Sequence, residues 1–146
     1  MHIPNRSVVL VADGRKSLFF RNEGDDAFPN LVVEDKAEQD NPAHHEQAAD
    51  TAGRAATPVA GIGGSMEEVD FHQQEEDRFA VALADELKAR ALAGDYEALV
   101  IAAPPKTLGV LRKHYHKEVE RRLIAEVPKD LTTMPVPEIE KLLKAE

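Results

Sequence analysis

The sequence predicts a single α/β domain in which a mixed β-sheet is covered by flanking helices. The chain has 146 residues, close to the usual length of one domain. Three strand-like runs come first, and helical and strand-like patterns alternate after a long loop, which gives the order βββ, long loop, α, β, α, β, α. Hydrophobic residues make up 42% of the chain and aromatic residues only 5%. We therefore expect one core, built from Val, Leu, Ile and Ala.

The first three elements are predicted to form an antiparallel meander. Residues 7–12 (SVVLVA) and 17–21 (SLFFR) are β-branched or aromatic runs. They flank Asp13-Gly14, a dipeptide that favours a tight hairpin turn with positive φ. A third strand begins at Leu31 and becomes polar near Glu38.

Residues 39–70 are predicted to be a long, flexible insertion. They hold four of the eight glycines, two prolines and few large apolar side chains. A loop of this length is longer than ordinary connections, so it is either functional or disordered. We place its tip at Gly61, Gly63, Gly64 and Ser65.

A helix is predicted to follow from Phe71 to Gly94, because Asp70 and Gln73 resemble a capping box and apolar residues then recur at helical spacing. Residues 97–102 (EALVIA) are predicted to be a buried central strand. Pro105 suits the first turn of the next helix.

The end of the chain leaves one choice open, because residues 116–127 fit either a helix or an alternating strand. We predict a short helix to about Arg121 and then a strand to Val127, since Pro128 stops the run and the central sheet needs another strand. A last helix follows Met134-Pro135-Val136-Pro137.

The charge is distributed unevenly. The formal net charge is −9, and residues 1–76, with 6 basic and 15 acidic residues, carry all of the excess acid. Such a chain has no general attraction to nucleic acid, so binding requires a local patch. One candidate patch lies in the neutral second half and consists of Lys106, Arg112, Lys113, His114, Tyr115, Lys117, Arg121 and Arg122. It could neutralise phosphates and stack a base on Tyr115, or it could be a solvated helix face with a Glu118–Arg122 pair.

Several chemistries are excluded or disfavoured. The absence of cysteine excludes disulfides, thiolate catalysis and zinc sites that need Cys. Asp13 could imitate a nuclease metal ligand, but a turn explains it better. His44, His45, Glu46, Asp70, His72 and Glu75 lack a metal-ligand spacing. We therefore predict no catalytic residue, metal or cofactor. Without a membrane-spanning run or a signal peptide pattern, we expect a cytoplasmic protein.

Four segments carry a resemblance that covers nearly the whole chain. They are VVLVADGRKSLFFRN, the D-x-H-x-x-E spacing of Asp70, His72 and Glu75 before FAVALADEL, LVIAAPPKTLGVLRKH, and AEVPKDLTTMPVPEIEKLL. Together with Asp13 in the first segment, they resemble the bacterial host attachment protein family. The resemblance implies a ribonuclease H-like fold similar to the middle domain of archaeal and eukaryotic peptide release factors.

The release factors also suggest a use for the insertion, because in them a loop before the first long helix reaches into the ribosome. That loop carries Gly-Gly-Gln at its tip, whereas Gly63-Gly64 is followed here by Ser65. The resemblance therefore implies a non-catalytic module that binds the ribosome or structured RNA through the basic patch and the long loop. The alternatives are a protein-interaction factor for bacterial attachment that acts through the acidic first half, and a metal-dependent hydrolase. The oligomeric state stays open.

Overall fold

The computed structural model of the protein describes residues 1–39 and 58–146. For residues 58–69 it describes the backbone, and from Asp70 onward it also describes the side chains. These residues form five strands and four helices. In chain order they are β1 (Val8–Ala12), β2 (Lys16–Asn22), β3 (Leu31–Glu38), α1 (Pro58–Leu92), β4 (Leu99–Ala102), α2 (Pro105–His114), α3 (Lys117–Arg122), β5 (Leu123–Val127) and α4 (Val136–Ala145). No helix in this part of the chain is long and apolar enough to cross a membrane.

The strands form one mixed sheet in the order β3-β2-β1-β4-β5. The antiparallel meander is confirmed, since β2 runs antiparallel to both β1 and β3. β1 and β4 are parallel, with Val8 opposite Leu99, and β5 is parallel to β4. A meander that continues into parallel strands is the predicted ribonuclease H-like arrangement.

The β1–β2 turn is stabilised by a side chain rather than by a left-handed backbone. Asp13 Oδ1 accepts hydrogen bonds from the backbone N–H groups of Arg15 and Lys16, at 2.7 and 2.8 Å. Neither Asp13 nor Gly14 has positive φ, so the predicted turn conformation is wrong. A Cβ at Gly14 would lie 2.7 Å from Cδ of Glu76 on α1, so a larger residue here requires the flexible Glu76 side chain to move.

The two faces of the sheet carry separate apolar layers. The face under α1, α2 and α3 is built around Leu10, Phe19 and Leu87, while the opposite face packs against Ile139 and Leu143 of α4. Buried alanines at positions 80, 84 and 91 let α1 lie close to the sheet. Burying each large aliphatic side chain contributes about 1.5–3 kcal/mol.

α1 begins thirteen residues earlier than predicted, at Pro58 rather than Phe71. Consequently the predicted loop tip, Gly61, Gly63, Gly64 and Ser65, has a helical backbone, and Asp70 lies within the helix instead of capping it. Each glycine costs about 1 kcal/mol in a helix, but extending an existing helix adds a backbone hydrogen bond per residue. Proline also suits a first turn. Residues 40–57 of the predicted insertion lie outside the described residues.

The second half of the fold follows the prediction closely. α2 begins at Pro105, and the ambiguous segment divides between Arg122 and Leu123 into a short helix and a strand. Leu123 already has extended backbone angles, φ −74° and ψ 114°. The break brings β5 beside β4, where Val127 lies opposite Ala102.

Candidate nucleic-acid interface

The eight residues of the predicted basic patch lie on α2, on α3 and in the turn between them, and we call this set the α2–α3 basic surface. Leu108 and Leu111 anchor α2 in the core, and Val119 anchors α3. These anchors leave the opposite sides of both helices for polar residues. The eight residues therefore lie on two consecutive helices, and the structure shows which of them have partners within the domain.

Two members of the surface bind the same carboxylate on β5. Arg112 Nε donates to Glu126 Oε1 at 3.0 Å, and the Tyr115 hydroxyl donates to Glu126 Oε2 at 2.8 Å. Burial, strengthened by this hydrogen bond, raises the pKa of Tyr115 well above its ordinary value. The Tyr115 ring also packs against the core. Tyr115 thus has a packing role, and its stacking on a base stays a prediction.

The arginines of α3 are also engaged within the domain. Arg121 Nη1 donates to both carboxylate oxygens of Glu118, at 2.8 and 3.0 Å. Arg122 donates to the carbonyl oxygens of Tyr96 and Glu118, at 3.0 and 2.8 Å. The alternative Glu118–Arg122 pair is present as well, at 3.5 Å. These arginines therefore contribute to the structure of the domain, and Arg122 ties α3 to the loop before β4.

The remaining four members, Lys106, Lys113, His114 and Lys117, are exposed. Among the residues that the structure describes, none of the four forms an ion pair. We call this subset the unpaired basic residues. Three of them flank the α2–α3 turn, where His116 Nδ1 accepts a hydrogen bond from Glu118 N at 3.0 Å and caps α3. This cap stabilises the start of α3, directly after the end of α2.

Two hydrogen-bonding residues of this region were not predicted from the sequence. Glu126 lies on a different element, 11 and 14 residues from the two groups that it binds, so no local spacing indicates it. The capping role of His116 was not predicted, although a side-chain acceptor immediately before a helix is a recognisable cap signal.

The four positions of the family motif lie in the β1–β2 turn, where Asp13 is found, and on α1, which carries Asp70, His72 and Glu75. Asp13 holds the β1–β2 turn and also accepts a hydrogen bond from Thr132 Oγ1 at 3.2 Å. Glu75 accepts a hydrogen bond from Gln39 Nε2 at 2.7 Å and pairs with Arg78. On the same helix, Asp70 is exposed and the half-buried His72 ring lies edge-on to Phe71.

These motif positions do not assemble a metal centre. The described ranges contain no group of three or more His, Asp or Glu side chains that could hold a metal ion. His44, His45 and Glu46 lie outside those ranges. No observation therefore supports a metal-dependent hydrolase, and we do not propose one.

The sheet order and the meander that leads into parallel strands define a ribonuclease H-like α/β domain. The chain belongs to bacterial archaeo-eukaryotic release factor family 12, whose family model matches residues 6–143. No curated protein matches the chain. The match supports the release-factor part of the predicted resemblance. It does not carry the host attachment name, so a role in attachment stays a prediction.

Proposed function

We propose that the protein is a non-catalytic module that binds structured RNA, with the ribosome as its target, through the unpaired basic residues Lys106, Lys113, His114 and Lys117. One observation carries the proposal: within the α2–α3 basic surface, the three arginines are paired inside the domain, whereas these four side chains are exposed and form no ion pair among the described residues. Membership of a release factor family is compatible with a ribosomal target.

The unpaired lysines are the groups whose charge is available to phosphate. A protein cation that neutralises a phosphate releases a counterion, and each such contact contributes about −0.7 to −0.9 to the slope of log K against log salt. Three lysines therefore give a slope of roughly −2 to −3. The paired arginines add less, because a carboxylate already offsets much of their charge.

The net charge of −9 does not prevent such binding. The Debye length at physiological ionic strength is about 8 Å, so distant carboxylates repel RNA only weakly. The same charge disfavours non-specific contact by the rest of the surface, which restricts binding to the basic patch.

The proposal assigns no hydrolysis of peptidyl-tRNA. The sequence does not contain the Gly-Gly-Gln that release factors carry at a loop tip, since Gly63-Gly64 is followed by Ser65. A serine cannot supply the side-chain amide, so the module would occupy a ribosomal site without releasing a peptide by that residue.

Sedimentation of the native protein from cell lysate through a sucrose gradient tests the proposal. We compare the wild type with the double variant Lys113→Glu/Lys117→Glu, at low and high salt and with and without ribonuclease. The control Lys88→Glu/Lys141→Glu makes the same charge change at two exposed lysines on α1 and α4. Arg112 is left intact, because a carboxylate there would face Glu126.

Wild type and control should sediment with ribosomal particles at low salt and be released by high salt or ribonuclease. The Lys113→Glu/Lys117→Glu protein should stay at the top of the gradient. If the wild type never enters the particle fractions, the proposal is wrong. If the control is released as readily as the test variant, the binding is real but the α2–α3 basic surface does not carry it.

A further inference from the structure

β3 forms the edge of the sheet opposite to β5. Among the described residues it pairs only with β2, and it is eight residues long. After Leu31, every residue of the strand is exposed. Val32 and Val33 are 44% and 42% exposed, so the edge offers apolar side chains on both faces of the sheet.

Hydrogen bonds at the two ends of β3 show which backbone groups face outward. Gln39 N donates to Arg15 O at 2.6 Å. Because backbone groups alternate in direction along an antiparallel strand, the N–H groups of Lys36 and Glu38 then point away from β2. At the other end, Glu23 N donates to Asn30 O at 2.8 Å, and the same alternation directs the N–H group of Val33 away from β2.

In the described part of the chain, a side chain of α4 covers the beginning of this edge. Leu31 N, which also faces outward, donates to Glu140 Oε2 of α4 at 2.7 Å. The outward N–H groups of Val33, Lys36 and Glu38 have no neighbouring strand in the described part of the chain. An unpaired row of this kind is a template for another strand, and proteins usually protect it with lysines, prolines or bulges. β3 has two of these features, since it contains Lys36 and a register shift opposite Phe19 and Phe20 that leaves Glu34 out of the pairing with β2. Neither feature occupies the outward N–H groups of Val33, Lys36 and Glu38.

The negative charge of this edge favours a positively charged partner strand. Residues 23–39 contain six acidic residues and one lysine, a formal charge of −5 within a chain of net charge −9. Glu34 and Asp35 are paired with arginines of the domain. In the described ranges, Asp25, Asp26 and Glu38 form no ion pair.

We propose that the free edge of β3 binds an extended, lysine- or arginine-rich segment of a partner protein by β-sheet addition. Main-chain hydrogen bonds to Val33, Lys36 and Glu38 would supply affinity, and the acidic side chains would select a basic segment. A second copy of the chain fits less well, since pairing two β3 strands opposes like charges. The site is separate from the proposed RNA surface.

The probe is a fluorescent, acetylated and amidated decapeptide of alternating Lys and Val, and a Glu–Val peptide of the same length is its control. Binding is followed by fluorescence anisotropy and by amide hydrogen exchange. The Lys–Val peptide should bind and slow exchange at Val33, Lys36 and Glu38. Exchange at Val32 and Asp35, whose amides face β2, should change little. The Glu–Val peptide should not bind.

Two variants separate strand addition from general electrostatic attraction. Glu38→Lys reverses an exposed charge and should weaken binding several-fold. Lys36→Pro removes a positive charge and also an outward N–H, a position where an edge strand tolerates proline. Electrostatics alone predicts tighter binding by Lys36→Pro, whereas strand addition predicts a loss of at least about tenfold, or about 1.4 kcal/mol. Thermal unfolding confirms that each variant is folded.

The Lys113→Glu/Lys117→Glu protein should bind the peptide as the wild type does, so failure of the RNA proposal and failure of this one are distinguishable. Three results overturn the proposal: unchanged or tighter binding by Lys36→Pro, protection of amides outside β3, or concentration-dependent self-association that the peptide does not disrupt.

Discussion

Replacement of Arg21 by methionine should destabilise the protein strongly, because this guanidinium joins three parts of the fold. The Arg21 side chain is 4% exposed, and each of its three nitrogens donates at least one hydrogen bond. Nε and Nη2 contact Glu34 on β3, Nη1 donates to the carbonyl oxygens of Arg6 and Asp95, and Nη2 also donates to the Asp95 carboxylate at 3.0 Å.

The expected loss in the free energy of unfolding depends on the carboxylates and carbonyl oxygens that lose their partner in Arg21→Met. Removing one partner of a buried ion pair costs about 3–5 kcal/mol. Here the side chains of Glu34 and Asp95 are about one-third exposed, so water can reach their carboxylates. The two carbonyl oxygens lose a charged donor. We therefore expect the lower end of the range, about 3 kcal/mol, which is a fall in Tm of about 10 °C for a domain of this size.

Urea and thermal unfolding measure the effect. Arg21→Lys keeps the charge but has three donors instead of five, so it should lose about half as much stability as Arg21→Met. The matched control is Arg78→Met. Among the described residues, the exposed Arg78 pairs only with Glu75, one helical turn away, and its loss should cost less than about 1 kcal/mol. If Arg21→Met is as stable as the wild type, the assignment of Arg21 as a stabilising junction is wrong.

Two further predictions concern buried hydroxyl groups. Burial raises the pKa of Tyr96 to about 12 from an ordinary value of 10, so its contribution to stability is complete below pH 10 and is lost as the pH rises toward 12. Because the pKa of Tyr115 is raised as well, near-ultraviolet absorbance should show no phenolate step at pH 10 from either tyrosine, and a step there in the folded protein contradicts the structure. Ser17 Oγ is buried without a partner among the described residues, so Ser17→Ala should leave stability unchanged or raise it by up to about 1 kcal/mol in urea unfolding. The control Ser7→Ala loses a hydrogen bond of 2.6 Å to Pro4 O and should destabilise by about 1 kcal/mol, and an equal loss from both variants would refute the prediction for Ser17.

The strands and short helices were predictable because their signals are local. The apolar runs of β1 and β4 have every residue buried, and the prolines beside β4 and β5 mark their ends. The start of α1 was not predictable in this way. The unfavourable helix propensity of Gly61, Gly63 and Gly64 predicted a loop. Helix extension is cooperative, however, so an existing helix can continue through such residues.

The candidate site shows a different limit. The sequence places the basic residues in one cluster, but it does not show which of them are already paired. Arg112 meets Glu126 across 14 residues, and Arg122 meets the Tyr96 carbonyl across 26. Such partners depend on tertiary packing, so composition alone overestimates the charge that is free to bind phosphate.

The position of β1 has a consequence for synthesis and folding of the chain. β1 reads VVLVA and pairs with two strands. β2 follows it directly in the sequence, whereas β4 is distant, since Leu99 lies 91 residues after its partner Val8. While the chain emerges from a ribosome, β1–β3 can pair long before β4 exists, and one edge of an entirely apolar strand stays open. Short apolar β-strands with open edges are prone to aggregate. Until residue 102 is available, this strand therefore depends on shielding by the nascent chain itself or by a chaperone.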